Sequence, residues 1–130
     1  MTASSLRRAG QALTALSALL IAYATLAPDA ASPVGADDRL LHFLLFLPLG
    51  AGGALWVSER SPAAQAVARA VILLGIVAFA AATELAQGPL ETRSPSWPDF
   101  FADAAGAATG VLAGSILSLF ARAPRDEPDI

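Results

Sequence analysis

The sequence predicts an all-α integral membrane protein, folded as a bundle of four transmembrane helices. Of its 130 residues, 55% are hydrophobic and only 15% are charged, and the mean hydropathy is +0.59. Soluble domains usually carry about 25% charged residues, so the composition indicates a membrane protein. Four apolar runs of roughly 20 residues each match a hydrocarbon core of ~30 Å, at a helical rise of about 1.5 Å per residue.

The predicted spans are residues 9–27, 40–57, 67–86 and 102–121. Proline, glycine and serine occupy the segments between them, as is typical of turns. The length suits one domain, covering residues 1–122. The polar, proline-rich tail of residues 123–130 is expected to be disordered.

Composition also excludes several classes of function. The chain has no cysteine, which rules out disulfides, thiolate metal ligands and a cysteine nucleophile. Its formal charge of −3 is small and scattered, so no nucleic-acid partner is expected. Membrane lipids are the expected surroundings.

Arginine placement predicts the topology, because positive residues favour the cytoplasmic side of a membrane. The arginines divide into one set of Arg7, Arg8, Arg60, Arg69, Arg122 and Arg125, and a second of only Arg39 and Arg93. Both termini are therefore expected in the cytoplasm. The opposite, outer side then collects the acidic residues Asp29, Asp37, Asp38, Glu84, Glu91, Asp99 and Asp103.

The first span could instead be a signal peptide, because Arg7 and Arg8 precede it. The apolar run is long for such a peptide, and residues 25–27 make a poor cleavage site. A transmembrane helix is the preferred interpretation.

The second span begins with Asp38 and His42, which share a helix face at spacing i, i+4. Asp38 could orient the His42 imidazole as a base or a ligand. Alternatively, Asp37 or Asp38 caps a helix that starts at Leu40, and His42 is an interfacial residue. Further along, Pro48 predicts a kink.

The third span ends with Glu84 and Gln87, spaced i, i+3. A carboxylate about one turn inside the membrane should be paired, protonated or facing water. Capping does not explain Glu84, because an acid at a helix C-terminus opposes the helix dipole. Glu84 is the strongest single functional candidate, and an interhelical hydrogen bond that fixes packing is the alternative.

The following loop and the fourth span add three charged candidates. Arg93 could hold a carboxylate or phosphate, or form a structural ion pair. Ser96 and Asp99 resemble a capping box, which explains Asp99 but not Asp103, one turn deeper. Asp99 and Asp103 together could bind Mg²⁺ or Ca²⁺ or share a proton. This interpretation is not preferred, and no metal or other cofactor is expected.

Glycine recurs every fourth residue on the fourth span. Gly106, Gly110 and Gly114 form a ridge that lets another helix approach closely. That helix could belong to the same chain or to a second copy in a homo-oligomer. Asp99 and Asp103 nearly continue the stripe, so both acids are expected to point into the bundle.

This order of residues resembles the VanZ-like family of small bacterial multi-pass membrane proteins, from Asp37 to about Gly114. The resemblance rests on the segment DDRLLHF (residues 37–43), Gly50, Glu84-x-x-Gln87, Arg93, Asp99 and Gly106-x-x-x-Gly110. The family usually has lysine at the position of Arg39 and asparagine at the position of Asp103, so Asp103 adds a charge to the cluster. The polar signature implied by the resemblance is Asp38, His42, Glu84, Gln87, Arg93 and Asp99.

The resemblance implies a protein of the bacterial cytoplasmic membrane. The family's namesake belongs to a glycopeptide-resistance gene cluster and is linked to teicoplanin resistance. The ligand-binding residues expected from the polar signature and the acidic pair are Asp38, His42, Glu84, Gln87, Arg93, Asp99 and Asp103.

Three functions remain open from the sequence. The preferred one is a non-enzymatic envelope protein that binds a lipid-linked wall precursor, a lipid head group or a glycopeptide. The second is a membrane-embedded hydrolase or transferase, in which His42 or Glu84 acts as acid or base and Arg93 holds an anionic group. The third is a proton or ion pathway, and it ranks last because the acids lie at only one end.

Overall fold

Four helices make up the described part of the protein. The computed structural model describes residues 2–26, 38–88 and 95–121. Its helices are α1 (Ala3–Leu26), α2 (Asp38–Trp56), α3 (Pro62–Gln87) and α4 (Trp97–Phe120). Each is long and apolar enough to span a membrane. The all-helical prediction is therefore confirmed. Asp37, Arg93 and the tail of residues 123–130 lie outside the described residues.

The helices begin before the apolar runs do, because polar residues cap or occupy their first turns. Ser61 caps α3, where its Oγ accepts a hydrogen bond from the N–H of Ala64 at 3.4 Å. In α2 the first residue is Asp38, earlier than the predicted start at Leu40. Asp38 thus lies in the first turn, where its negative charge suits the helix dipole. The same helix continues through Pro48.

Helix α2 lies at the centre of the bundle, in contact with the other three helices. Its interface with α4 is the largest of all. The glycine ridge creates this interface: a Cβ added at Gly106 would collide with the carbonyl oxygen of Phe43, and one at Gly110 with that of Leu47. The predicted close approach is therefore present, and the ridge packs against a helix of the same chain. A homo-oligomer would have to use a different surface.

Helix α1 approaches α2 in a similar way, nearer the opposite end of the bundle. A Cβ at Gly10 would lie 2.7 Å from the carbonyl oxygen of Gly52, and one at Gly52 would lie 2.8 Å from the nitrogen of Thr14. The apolar core draws on all four helices. It consists of Ile21, Phe46, Leu49, Ile76, Ala80 and Ala107.

Burial is distributed as expected for a protein surrounded by lipid. Large apolar side chains are exposed on every helix, for example Leu19, Leu44, Leu74 and Leu112. Contiguous apolar surface on this scale is rare in soluble monomers. Conversely, polar and acidic side chains are buried between the helices, among them Asp103. The bundle thus directs polar groups inward, where its candidate site lies.

Candidate functional site

The site is built around a buried pair contributed by α2 and α4. Nδ1 of His42 lies 2.9 Å from Oδ1 of Asp103. When Asp103 is ionised, its carboxylate can only accept, and the Nδ1–H of the imidazole is then the donor. The Asp103 side chain is fully buried, and that of His42 is 15% exposed. Sequence reasoning suggested Asp38 as the residue that orients His42; the structure adds Asp103, 61 residues away, as a hydrogen-bond partner of the imidazole.

The close contact between α2 and α4 positions this pair. Gly106 lies one turn after Asp103 and packs on the backbone of Phe43, the neighbour of His42. With the two backbones in contact there, two short side chains can meet across the interface. Asp103 points into the bundle, as the stripe of small residues predicted.

Glu84 contributes a second buried carboxylate, from the last turn of α3. Its Oε2 accepts a hydrogen bond from the backbone N–H of Ser96 at 2.8 Å. Ser96 caps α4 and accepts in turn from the N–H of Asp99 at 3.4 Å. In a full capping box the acid three residues after the cap would occupy the position taken here by Glu84. The predicted box is therefore half present, and the structural alternative for Glu84, an interhelical hydrogen bond, is confirmed.

Each of the two buried carboxylates has one oxygen in a hydrogen bond and one without. Oε1 of Glu84 and Oδ2 of Asp103 are buried and accept no hydrogen bond from any residue in the described ranges. Glu84 is only 6% exposed and Asp103 is 0% exposed. Leaving a buried charged acceptor unsatisfied is costly, so these two oxygens need an explanation.

The acidic candidates form two overlapping groups around His42. One donor atom each from His42, Glu84 and Asp103 lie within 4.8 Å of one another. Donor atoms of Asp38, His42 and Asp99 form a second such group, which is more exposed. The proposed i, i+4 pair of Asp99 and Asp103 is thus divided between the groups. His42 is their shared member, which the sequence did not indicate.

A cleft between α3 and α4 opens beside the buried group. It encloses about 400 Å³, and Glu84 and Ser96 provide its polar wall. The rest of the lining is apolar, from Ala81, Leu85, Pro95, Trp97 and Phe100. Trp97 is 75% exposed and makes an edge contact with Phe100, with 5.9 Å between the ring centroids. The cleft therefore combines an apolar groove with a buried carboxylate, a mixture typical of small-molecule sites.

Two of the predicted residues, Gln87 and Arg93, are not part of the two groups around His42. Gln87 is buried one turn after Glu84, and within the described ranges no hydrogen bond joins it to the cluster. Arg93 lies outside the described residues. Asp38, His42, Glu84, Asp99 and Asp103 are brought together as the sequence predicted.

Polar contacts at the opposite end of the bundle were missed by sequence reasoning. Nη2 of Arg69 donates to Oγ of Ser118 at 2.9 Å, which links α3 to α4. Nε2 of Gln65 donates to the carbonyl oxygens of Ser58 and Arg60, at 3.1 and 2.6 Å, and so holds the turn after α2. The sequence signal that could have indicated these contacts is the spacing of Gln65 and Arg69, two polar residues four positions apart on one helix. These contacts have an evident structural purpose.

The chemistry available at the site is that of a carboxylate-oriented imidazole beside a second acid. Such a group can bind a cation, transfer a proton or donate hydrogen bonds to an anionic ligand. No protein-family model, curated protein or solved structure matches this chain.

Proposed function

We propose that this chain is a VanZ-like multi-pass protein of the bacterial cytoplasmic membrane that binds an amphipathic envelope ligand on the extracytoplasmic side. The ligand's polar head would contact the cluster of Asp38, His42, Glu84 and Asp99. Its apolar portion would lie in the cleft between α3 and α4. Lipid-linked wall precursors, lipid head groups and the glycopeptide teicoplanin are the ligands to test.

One observation carries this proposal: Glu84 and Ser96 line an otherwise apolar cleft that opens to the outside of the bundle. An apolar chain that lay in the cleft would contact Leu85, Trp97 and Phe100. The arrangement therefore favours a ligand with both an apolar and a polar part.

Binding can be tested with the full chain in lipid nanodiscs. The probes would be a lipid-linked wall precursor, phosphatidylethanolamine and teicoplanin, each titrated and followed by native mass spectrometry. We expect one of them to bind in a 1:1 ratio and to bind at least about tenfold more weakly to Phe100→Ala, which removes much of the groove wall. Leu112→Ala, an exposed site on the same helix but outside the cleft, is the matched control.

Two results would count against this function. If none of the three probes bound above the level seen with empty nanodiscs, the envelope-ligand proposal would fail. Equal binding to the Phe100 and Leu112 variants would place the ligand elsewhere on the protein.

A membrane-embedded hydrolase or transferase is the second candidate, and the His42–Asp103 pair favours it. A buried carboxylate that accepts from Nδ1–H fixes the imidazole tautomer and leaves Nε2 as the basic nitrogen. Turnover of the lipid-linked precursor by the wild type but not by His42→Gln would support catalysis. Binding without turnover would favour the non-enzymatic function.

A further inference from the structure

We propose that His42, Glu84 and Asp103 bind one divalent transition-metal ion, of the class of Zn²⁺ or Mn²⁺, inside the helix bundle. The three residues come from three helices, α2, α3 and α4, yet their donor atoms lie within 4.8 Å of one another. The site does not depend on which envelope ligand the protein binds. An ion would join the three helices at a single point.

The strongest support comes from the two unsatisfied oxygens. Oε1 of Glu84 and Oδ2 of Asp103 are buried without a hydrogen bond from the described residues, on side chains at least nine-tenths buried. A proton would satisfy only one oxygen. A single cation between the carboxylates would satisfy both, because each oxygen keeps a lone pair for it.

Charge balance favours a divalent ion. Two ionised carboxylates with a neutral imidazole carry a charge of −2, which is costly among apolar helices. A dication brings the group to neutrality. A monovalent ion or one shared proton would leave a net negative charge in the bundle.

The donor set also selects the kind of metal. Imidazole suits Zn²⁺ and other transition metals, whereas carboxylates alone suit Mg²⁺ and Ca²⁺. One nitrogen and two oxygens from His42, Glu84 and Asp103 therefore favour a transition metal over the hard cations considered from Asp99 and Asp103. Mn²⁺ and Zn²⁺ both accept this mixture.

The distances between the donor atoms require only a modest rearrangement. Neighbouring donors on a tetrahedral ion, with metal–ligand bonds of about 2.1 Å, stand about 3.4 Å apart. Nδ1 of His42 and Oδ1 of Asp103 are 2.9 Å apart and would separate by about half an ångström around an ion that replaced the proton between them. The carboxylate of Asp103 would then bind through both oxygens, so that Oδ2 is satisfied as well. The separations in the group are at most 4.8 Å, so the widest would close by up to about 1.4 Å, which side-chain rotation can provide.

Glu84 is held in a suitable orientation by a contact outside the site. Its Oε2 accepts from the N–H of Ser96, which leaves Oε1 for the ion. Hydrogen bonds of this kind fix ligand carboxylates in known metal sites. The Ser96 contact would therefore persist when the metal is bound.

The experiment measures the metal content and affinity of the full chain in detergent. After treatment with a chelator, the protein would be titrated with Zn²⁺, Mn²⁺ and Mg²⁺ by calorimetry, and metal per chain would be counted by mass spectrometry. We expect one Zn²⁺ or Mn²⁺ per chain. His42→Gln, Glu84→Gln and Asp103→Asn should each weaken binding by at least about 100-fold, because each removes a direct ligand.

Matched controls separate this site from its alternatives. Glu59→Gln removes a carboxylate at the other end of the bundle, where it pairs with Arg7 at 3.2 Å, and should bind metal as the wild type does. Asp38→Asn and Asp99→Asn test the overlapping, more exposed group and should weaken binding by less than about tenfold. Circular dichroism and size-exclusion chromatography would verify that each variant is folded. If Asp103→Asn failed to fold, the metal affinities of His42→Gln and Glu84→Gln would decide whether the ion binds at the proposed site.

Three results would overturn the proposal. The first is a wild type that binds no more Zn²⁺ or Mn²⁺ than His42→Gln does. The second is binding that Asp38→Asn and Asp99→Asn abolish but Glu84→Gln does not, which would assign the metal to the other group. The third is equal affinity for Mg²⁺ and Zn²⁺, which would contradict the role of the imidazole.

Discussion

The carboxylate of Glu84 accepts a hydrogen bond from the backbone N–H of Ser96 at 2.8 Å, so the last turn of α3 caps the first turn of α4. Ser96 supplies the other half of the cap through its own hydroxyl, which accepts a hydrogen bond from the backbone N–H of Asp99. The N-cap of α4 is therefore shared between Ser96 and Glu84, a residue of α3. This arrangement makes Glu84 both a structural residue and a member of the candidate site.

The shared cap predicts different effects of two substitutions at Glu84. Glu84→Gln keeps a carbonyl oxygen that can accept from Ser96, whereas Glu84→Ala removes the acceptor. We expect the alanine variant to be less stable than the glutamine variant by about 1 kcal/mol. Unfolding by denaturing detergent, with a chelator present to remove any metal contribution, would measure the difference.

Glu59→Ala is the control for this comparison. Its carboxylate forms a partly exposed ion pair with Arg7, and such pairs contribute about 0–1 kcal/mol. Equal stability of the glutamine and alanine variants of Glu84 would mean that the hydrogen bond to Ser96 contributes nothing measurable.

The His42–Asp103 pair predicts energetic coupling between two helices. In a double-mutant cycle of His42→Ala and Asp103→Ala, we expect a coupling free energy of about 0.6–2 kcal/mol, the usual range for hydrogen bonds between transmembrane helices. Free energies of unfolding in detergent would provide the four values of the cycle. A second cycle that combines His42→Ala with Glu59→Ala should be additive, and coupling of similar size in both cycles would disprove a specific pair.

The glycine ridge predicts that a single methyl group is harmful at one position and harmless at another. At Gly110 a Cβ would collide with the carbonyl oxygen of Leu47, so Gly110→Ala should destabilise the bundle by about 1–3 kcal/mol. At Gly75 a Cβ would meet nothing within 4 Å. Gly75→Ala should therefore be neutral or stabilising by up to about 1 kcal/mol, because alanine favours helix.

Thermal unfolding of the two glycine variants side by side would check this expectation. If Gly110→Ala were as stable as Gly75→Ala, the backbone contact between α2 and α4 would have to be looser than described here.

The proposed topology predicts which loops face the outside of the cell. The chain has no native cysteine, so single cysteines at Ser94, between α3 and α4, and at Ser61, before α3, would be the only thiols. On intact cells a membrane-impermeant maleimide should label Ser94→Cys and leave Ser61→Cys unlabelled. Permeabilised cells provide the control that both are reactive. Labelling of Ser61→Cys alone would place the site in the cytoplasm and contradict the envelope function.

The sequence predicted the helices and the convergence of several polar candidates for simple physical reasons. A run of about 20 apolar residues has few alternatives to a membrane-spanning helix, and acids as deep as Glu84 and Asp103 stand out within such runs. The partner of His42 could not be predicted, because it depends on how two helices cross. Spacing along one helix indicated Asp38, but it could not indicate Asp103, which forms a hydrogen bond with His42 from another helix.

The glycine ridge illustrates the same limit. Its four-residue spacing predicted close packing, but it did not specify whether the neighbour would be α2 or a second copy of the chain. At Ser96, likewise, the spacing predicted a capping box between neighbouring residues. In the structure the second hydrogen bond of that box is accepted by Glu84 of α3. Contacts within one helix can be read from spacing, and contacts between helices require the fold.

The backbone contact between α2 and α4 has a consequence for how the site can respond to an occupant. His42 and Asp103 stand on two main chains that touch at glycines, so no change of rotamer can separate those two walls. Glu84 stands on α3, whose contacts with both helices are far fewer. One side of the site, formed by His42 and Asp103, is therefore fixed by backbone contact, whereas the Glu84 side depends on the sparser packing of α3.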